Sequence, residues 1–335
     1  MLLLFKLVNK INYLKKKSII LLVVFSIVAI ISCNQPRDHI LYINSYHKGY
    51  KPSDATTKGI IDNLPGKEFD LKVLYIDSKR QTSDESLFVK IDSIRRFISD
   101  FKPKVLIVSD DYAVKYLVKP FYDKSDIPIV FCGVNWSADQ YNLSRSHITG
   151  MLEVVPLREA LMFIKMYYPN AKKLTVLSEN SLSEKNNTSL LDTLYINAGF
   201  KTSYLLVDDF DNWKRMFLKA NEEADIIYLP TNGAIKGWND LEAQKFVETN
   251  MIKPLFTCDD FMMPYCIFGF TKVPIEQGIY AAETAKRILK GLSPSQIPME
   301  RNKQTETWFN PKLAQIIGFA PDSFWISNSR LIIDK

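Results

Sequence analysis

Eight short apolar runs, each followed by an amphipathic or polar stretch, constrain this chain more than any other feature. They lie at 40–44, 71–76, 104–108, 127–132, 173–177, 202–207, 225–229 and 254–257. They are largely apolar at successive rather than alternate positions, the pattern of parallel strands covered on both faces. The stretches between them carry the helical period. Over 84–99 and just beyond, Leu87, Ile91, Ile94, Ile98 and Phe101 recur at spacings of four and three. Thr82 with Glu85 reads as the capping box of that helix. Further helices begin near Ser53 and at Pro156, the latter with Leu161, Ile164 and Tyr168 on one face and a stop at Pro169-Asn170. Helices at 183–198 and 274–290 end at Gly199 and Gly291, suited to a left-handed cap. Strand–helix alternation predicts an α/β fold with doubly wound parallel sheets. Four runs precede Gly150 and four follow it, and the break at 137–148 is polar and aperiodic. A chain of 335 residues also exceeds what one core normally holds. The expectation is two doubly wound parallel-sheet lobes joined by a hinge.

The N-terminus reads differently. Lys15, Lys16 and Lys17 precede a run from Ser18 to Ile31 that is apolar apart from Ser18 and Ser26, and Ser32-Cys33 follows. A basic segment, an apolar core and a small residue at the cut describe a secretory signal over 1–32. Ile30-Ile31-Ser32-Cys33 resembles the bacterial lipobox, which implies that Cys33 is diacylated and becomes the first mature residue. The alternative is an uncleaved anchor, for which the run is short of the roughly 20 residues of a span. Lys6 and Lys10 bring the basic residues of 1–32 to five, with no acid among them, so the formal charge of +6 falls to +1 without that segment. The basic balance is mostly a targeting feature and supports no nucleic-acid partner. Past Cys33 there are Cys132, Cys258 and Cys266, with no C-x-x-C pair and hence no zinc signature. They read as small buried residues, with a Cys258–Cys266 disulfide as the other reading.

Ligands of open parallel sheets bind beyond the carboxyl ends of the strands. Six of the eight runs end there in polar or aromatic groups: Asn44-Ser45-Tyr46-His47, Ser109-Asp110-Asp111-Tyr112, Gly133-Val134-Asn135-Trp136, Ser178-Glu179-Asn180-Ser181, Pro230-Thr231-Asn232-Gly233 and Cys258-Asp259-Asp260-Phe261. Two lobes facing each other would line a cleft with these tips. Ser109, Asp110, Ser178 and Asp259 also suit plain helix capping. Tyr46, Tyr112, Trp136 and Phe261 have no capping role, and a ring beside a polar loop suits stacking on a ligand. His47 is one of only three histidines. Catalytic signatures are missing: there is no G-x-S-x-G, H-E-x-x-H, G-x-x-x-x-G-K-[ST] or G-x-G-x-x-G. The expectation is a binding protein, not an enzyme, with no cofactor and no metal.

Several stretches, taken in order, resemble the ABC-transporter substrate-binding-protein family. They are Ile127-Pro128-Ile129-Val130-Phe131 with Val134 and then Ile148-Thr149-Gly150; Tyr168 to Lys173; Ala224 to Thr231; Gly278 to Gly291 with Ile297-Pro298; and Asn310 to Gly318. The resemblance implies a periplasmic-binding-protein type I fold. One lobe would span 38–149 with 272–291 and the other 151–270, while 292–335 returns across the hinge. It implies ligand contacts at Ser45, Tyr46, Asp110, Asp111, Asn135, Glu179, Asn180, Ser181, Thr231, Asn232 and Asp259, to which the residue reading adds His47 and Trp136. The chain departs from the family at Asn44-Ser45-Tyr46-His47, which looks more like a variant of lipoproteins and extracellular sensor modules, and at Thr231-Asn232, where Thr-Asp is usual. Both departures touch the pocket, so the ligand stays open. The acids suggest an amine, the rings a planar body, and helix N-termini a seat for a carboxylate. The expected role is a lipid-anchored extracytoplasmic receptor for an amino-acid-like or aromatic solute, serving an ABC permease. The alternatives are a module reporting to a sensor kinase, a hydrolase, and a surface lipoprotein that binds nothing small.

Overall fold

The computed structural model describes residues 37–80 and 83–332. The signal segment, Cys33, Thr82 and the last three residues lie outside them. Among the described residues thirteen strands make two sheets, in the orders β11-β5-β4-β3-β1-β2 and β13-β12-β10-β9-β8-β6-β7. The first holds β1 (Asp38–Asn44), β2 (Phe69–Tyr75), β3 (Val105–Ser109), β4 (Ile129–Asn135), β5 (Ile148–Glu153) and β11 (Glu300–Arg301). The second holds β6 (Lys173–Glu179), β7 (Lys201–Val207), β8 (Ile226–Tyr228), β9 (Leu255–Thr257), β10 (Phe268–Lys272), β12 (Thr305–Phe309) and β13 (Arg330–Leu331). The pairs β1–β3, β3–β4, β4–β5, β5–β11, β6–β7, β6–β8, β8–β9, β9–β10 and β12–β13 are parallel, and β10–β12 is antiparallel. The eight apolar runs are β1–β4 and β6–β9. β5, β10 and the three C-terminal strands add to them.

Burial on both faces explains the continuous apolar runs. In the first sheet Leu41, Ile43, Leu106, Val108 and Phe131 face Leu87, Ile91, Ile94 and Ile98 of the Asp84–Phe101 helix. Their neighbours Ile40, Tyr42, Val105, Ile107 and Val130 face Ile60 and Leu64 on one side and Ala281, Ala282 and Ala285 of the Pro274–Leu289 helix on the other. The Asp84–Phe101 helix is capped by Ser83, whose side chain accepts from Ser86 N. The Lys51–Asn63 and Pro274–Leu289 helices touch backbone to backbone. A Cβ on Gly278 would lie 2.0 Å from Thr56 O, and one on Gly59 would lie 2.6 Å from Ile275 O. Only glycine permits that approach. The second sheet carries the largest core, around Trp213, Phe217, Phe256 and Phe268.

The chain passes between the sheets three times: after Glu153, after Lys272 and after Arg301. These crossings are stitched together. Asn302 accepts from Val154 N at 2.7 Å and donates to Val154 O at 3.1 Å. Glu276 accepts from Lys303 N at 3.0 Å and from Gln304 N at 2.9 Å. Cys132, Cys258 and Cys266 are buried free thiols, so the alternative of a Cys258–Cys266 disulfide is not realised. No helix among the described residues is long and apolar enough to cross a membrane.

Candidate functional site

The carboxyl ends of both sheets meet at one cavity. It is lined from the first sheet by Tyr46, Asp110, Asn135 and Glu153, and from the second by Thr231, Asp259 and Lys272. Lys79, from the loop after β2, and Glu184, from the Leu182–Asn197 helix, also reach it. The cavity has about 70 Å³ of internal space, against about 30 Å³ for one water in the liquid. The lobes are thus drawn together. Tyr50 opens the Lys51–Asn63 helix, and its hydroxyl meets Thr231 Oγ1 across the gap at 3.1 Å. Its ring stands edge-on to Phe261, 5.8 Å between centroids.

β1 ends in polar side chains because each has a separate task. The Ser45 hydroxyl, fully buried, donates to Ser109 O at 2.5 Å and accepts from Ala113 N at 2.9 Å, so it ties β1 to β3 and does not line the cavity. Asn44 accepts from Ser53 Oγ at 2.8 Å and so holds the next helix. Tyr46 does enter the cavity and donates its hydroxyl to Asp110 Oδ2. His47 turns away to Asp77, 3.4 Å off. Burial, then the charge of Arg80, keeps its pKa below the usual value.

Asp110 has φ +68°, a left-handed conformation that costs an L-residue about 1–2 kcal/mol. Strain of this kind persists where the surroundings impose it, often at binding sites. Burial, then the neighbouring Asp111 charge, pushes the Asp110 carboxyl up to about 7, against the Tyr46 hydroxyl and Lys79. Asp259 is also pushed up to about 7 by burial, with Glu153 and Asp260 adding to the shift and Lys272 opposing it. Glu184 is raised by burial and the Glu179 charge, while bonds from Ser178 and Asn187 hold it back.

Two lysines span the gap. Lys79 donates to Glu179, whose other oxygen accepts from Ala234 N at 2.6 Å. The Lys79 ammonium lies 4.8 Å from the Tyr46 ring centroid and 4.9 Å from that of Tyr50, close enough for cation–π attraction. Lys272 donates to Glu153 of the first sheet and sits 3.2 Å from Asp259 of the second. Burial opposes its charge, but Asp259 and Glu153 outweigh that and hold its pKa well above the ordinary value.

Of the thirteen sequence candidates, Tyr46, Asp110, Asn135, Thr231 and Asp259 line this cavity, and Glu179 is one step behind through Lys79. Asp111 points into the first lobe, where it accepts from Asn135 Nδ2 and Tyr141 OH, each at 2.6 Å. Trp136 packs against the second lobe's core. Ser181 caps the Leu182–Asn197 helix, and Asn180 donates to Asp208 in a second cavity on the other side of Lys79. Asn232 lines neither cavity. Sequence reading missed Tyr50, Lys79, Glu153, Glu184 and Lys272. Three of these obey the strand-tip rule: Lys79 follows β2, Glu153 ends β5 and Lys272 ends β10. Among the described residues no group of three or more His, Cys, Asp or Glu is placed to hold a metal ion.

A family model described as ABC transporter substrate binding protein matches residues 50–321. The chain belongs to that family. It is a substrate-binding protein of the ABC-transporter type. Solved structures agree on the fold. A conserved domain protein from Vibrio cholerae O1 biovar El Tor superposes with a TM-score of 0.71 at 17% identity, covering 88% of this chain and 99% of that one. The ABC domain in complex with L-Trp from Streptococcus pneumoniae gives 0.68 at 16% identity, over 88% and 100%. A ligand-free, open substrate-binding protein with adhesive properties from Clostridium difficile gives 0.64 at 17% identity, over 89% and 100%. The likeness extends to periplasmic sugar-binding proteins, so the architecture is that of type I periplasmic binding proteins. No curated protein matches the chain by sequence.

Proposed function

We propose that this substrate-binding protein is a lipid-anchored extracytoplasmic receptor that closes its two lobes on a small amine-bearing solute and presents it to an ABC permease. The observation that carries the reading is the interlobe cavity, where Asp110, Glu153, Glu184 and Asp259 converge beside the Tyr46 and Tyr50 rings. A carboxylate in a closed, water-poor gap attracts an ammonium far more strongly than it does in water. The L-Trp complex of a protein with this fold makes amino-acid-sized amines the natural first probes. Tyr46, Asp110, Asn135, Glu184, Thr231 and Asp259 are the proposed contacts, while Ser45, Asp111 and Ser181 position them. The two sheets with their helices are the moving bodies, hinged at the three crossings. The anchor is the diacylated Cys33. It is tested by labelling cells with a radioactive fatty acid: the wild-type chain should take up label and Cys33→Ala should not. Thermal-shift screening against amino acids, amines, purines and sugars tests the receptor. A hit should be followed by compaction of the protein in X-ray scattering. A melting temperature unmoved by every class would overturn the reading.

A further inference from the structure

We propose that the cleft selects a small organic cation whose ammonium is not accompanied by a carboxylate, an amine rather than a zwitterionic amino acid. The inference rests on the receptor reading above and narrows its ligand class.

An α-amino acid needs two opposite seats, and only one is present. Asp110, Glu153, Glu179, Glu184 and Asp259 stand in or directly behind the cavity, against Lys79 and Lys272 alone. Both lysines are already charge-paired, Lys79 with Glu179 and Lys272 with Glu153 and Asp259, so the five carboxylates outnumber the two cations. No arginine or histidine lines the cavity.

Several neutral donors at the wall are engaged as well. Gly133 N donates to Gln277 Oε1 at 3.0 Å, Ser53 Oγ to Asn44 Oδ1 at 2.8 Å, and Thr56 Oγ1 to Pro274 O at 3.1 Å. The two long helices of the first lobe that open on the cavity carry Pro52 and Pro274 in their first turns, and proline has no N–H to offer. Glu184 N, in the third helix, is taken by Ser181. The two prolines and the Ser181 cap thus remove several of the helix N-terminal donors that sequence reading assigns to a carboxylate.

Acceptors, by contrast, remain in surplus. Asp110 accepts one bond on each oxygen, from Asp111 N at 2.7 Å and from Tyr46 OH. Glu184 accepts from Ser178 at 2.7 Å and from Asn187 at 2.9 Å. A carboxylate has about four lone-pair sites, so each has room for more. Asp259 Oδ1 is buried with no hydrogen bond, although it pairs electrostatically with Lys272. Lys79 shows that the walls suit the chemistry: two tyrosine rings and a carboxylate already surround one ammonium.

The test uses the full-length protein purified in detergent, with calorimetric titration at pH 8. The probes are matched sets: phenylalanine, phenethylamine and 3-phenylpropionate; arginine and agmatine; lysine and cadaverine. In at least one set the amine should bind ten or more times tighter than its amino acid, and 3-phenylpropionate should not bind. Asp110→Asn keeps the shape and tolerates a left-handed backbone. It should weaken the amine tenfold or more, and Glu184→Gln serves as the second variant if the first does not fold. An amino acid equal to or tighter than its amine, a neutral solute as the sole ligand, or amine affinity unchanged in the folded variants overturns the inference and leaves the receptor standing. Silence from every probe class overturns both.

Discussion

Lys79 and Lys272 are both buried ammonium groups that join the two sheets, yet they sit in opposite mechanical situations. Lys272 is the last residue of β10, and its partner Glu153 is the last residue of β5; both stand beside crossings where the chain itself holds the lobes together. Lys79 and Glu179 come from separate lobes with no crossing next to them, so under the proposed hinge motion their contact breaks when the lobes part. Their side chains are 3% and 0% exposed, so neither is stable there unpaired. Opening gives them water in exchange. The same chemistry is a permanent clamp at the base of the cleft and a conditional latch at its mouth.

The comparison predicts different failures. The largest effect belongs to Lys272→Met, which strands Glu153 and Asp259 without a cation at a place that cannot open. Urea unfolding should show a loss of about 3–5 kcal/mol. Lys79→Met should cost less than about 1 kcal/mol in the same assay, because the lobes part and Glu179 hydrates; its signature is a larger radius of gyration in X-ray scattering. Equal urea losses in the two variants would break the distinction. The pair Lys79→Met with Glu179→Met sharpens it, since an apolar replacement of both partners should close the cleft again. Gly278→Ala, which touches neither ion pair, should destabilise the first lobe by about 1–3 kcal/mol through overpacking against Thr56 O. Tyr50→Phe removes one hydroxyl bond across the gap, worth about 1 kcal/mol, and should weaken ligand binding several-fold without moving the urea midpoint.

A different kind of test is a pH dependence. Folded Asp110 and Asp259 hold protons up to about 7, against an ordinary value of 3.8. Between pH 4 and 7 the folded protein therefore binds more protons than the unfolded chain, and these two groups make stability fall as pH rises. Asp110 feels Asp111, Glu153, Tyr46 and Lys79; Asp259 feels Lys272, Glu153 and Asp260. His47, lowered in the folded state, works the other way below 6.5. Melting scans from pH 8 to pH 5 on a His47→Gln background should show a rise that shrinks in Asp110→Asn. Cation binding should show the opposite slope, weakening as the same carboxyls take up protons.

The sequence made much of this legible, for a physical reason. A strand buried on both faces leaves no room for polar residues, so β1, β3, β4, β6, β8 and β9 announce themselves as apolar runs, while the half-buried edge strands β2 and β7 show less cleanly. β5 (ITGMLE) and β10 (FGFTK) mix small and polar residues with apolar ones, and escape that test. Their omission hid Glu153 and Lys272, although the rule of reading strand tips was sound. Lys79 was hidden because the tip of β2 was passed over. Ser45 and Asp111 have the right chemistry at the right place but turn inward. Side-chain direction at a strand end depends on tertiary partners such as Ala113 N and Tyr141, which no local pattern encodes. Glu184 sits inside a helix, where a carboxylate reads as solvent-facing until a second lobe covers it.

The close crossing at Gly59 and Gly278 has a consequence for biosynthesis. One apolar face of the first sheet, Ile40, Tyr42, Ile107 and Val130, is covered by Ala281, Ala282 and Ala285. Those alanines leave the ribosome only after the whole of β6 to β10 has been made. That face of the first sheet therefore stays uncovered until the Pro274–Leu289 helix has been made, and the N-terminal half cannot complete its core on its own.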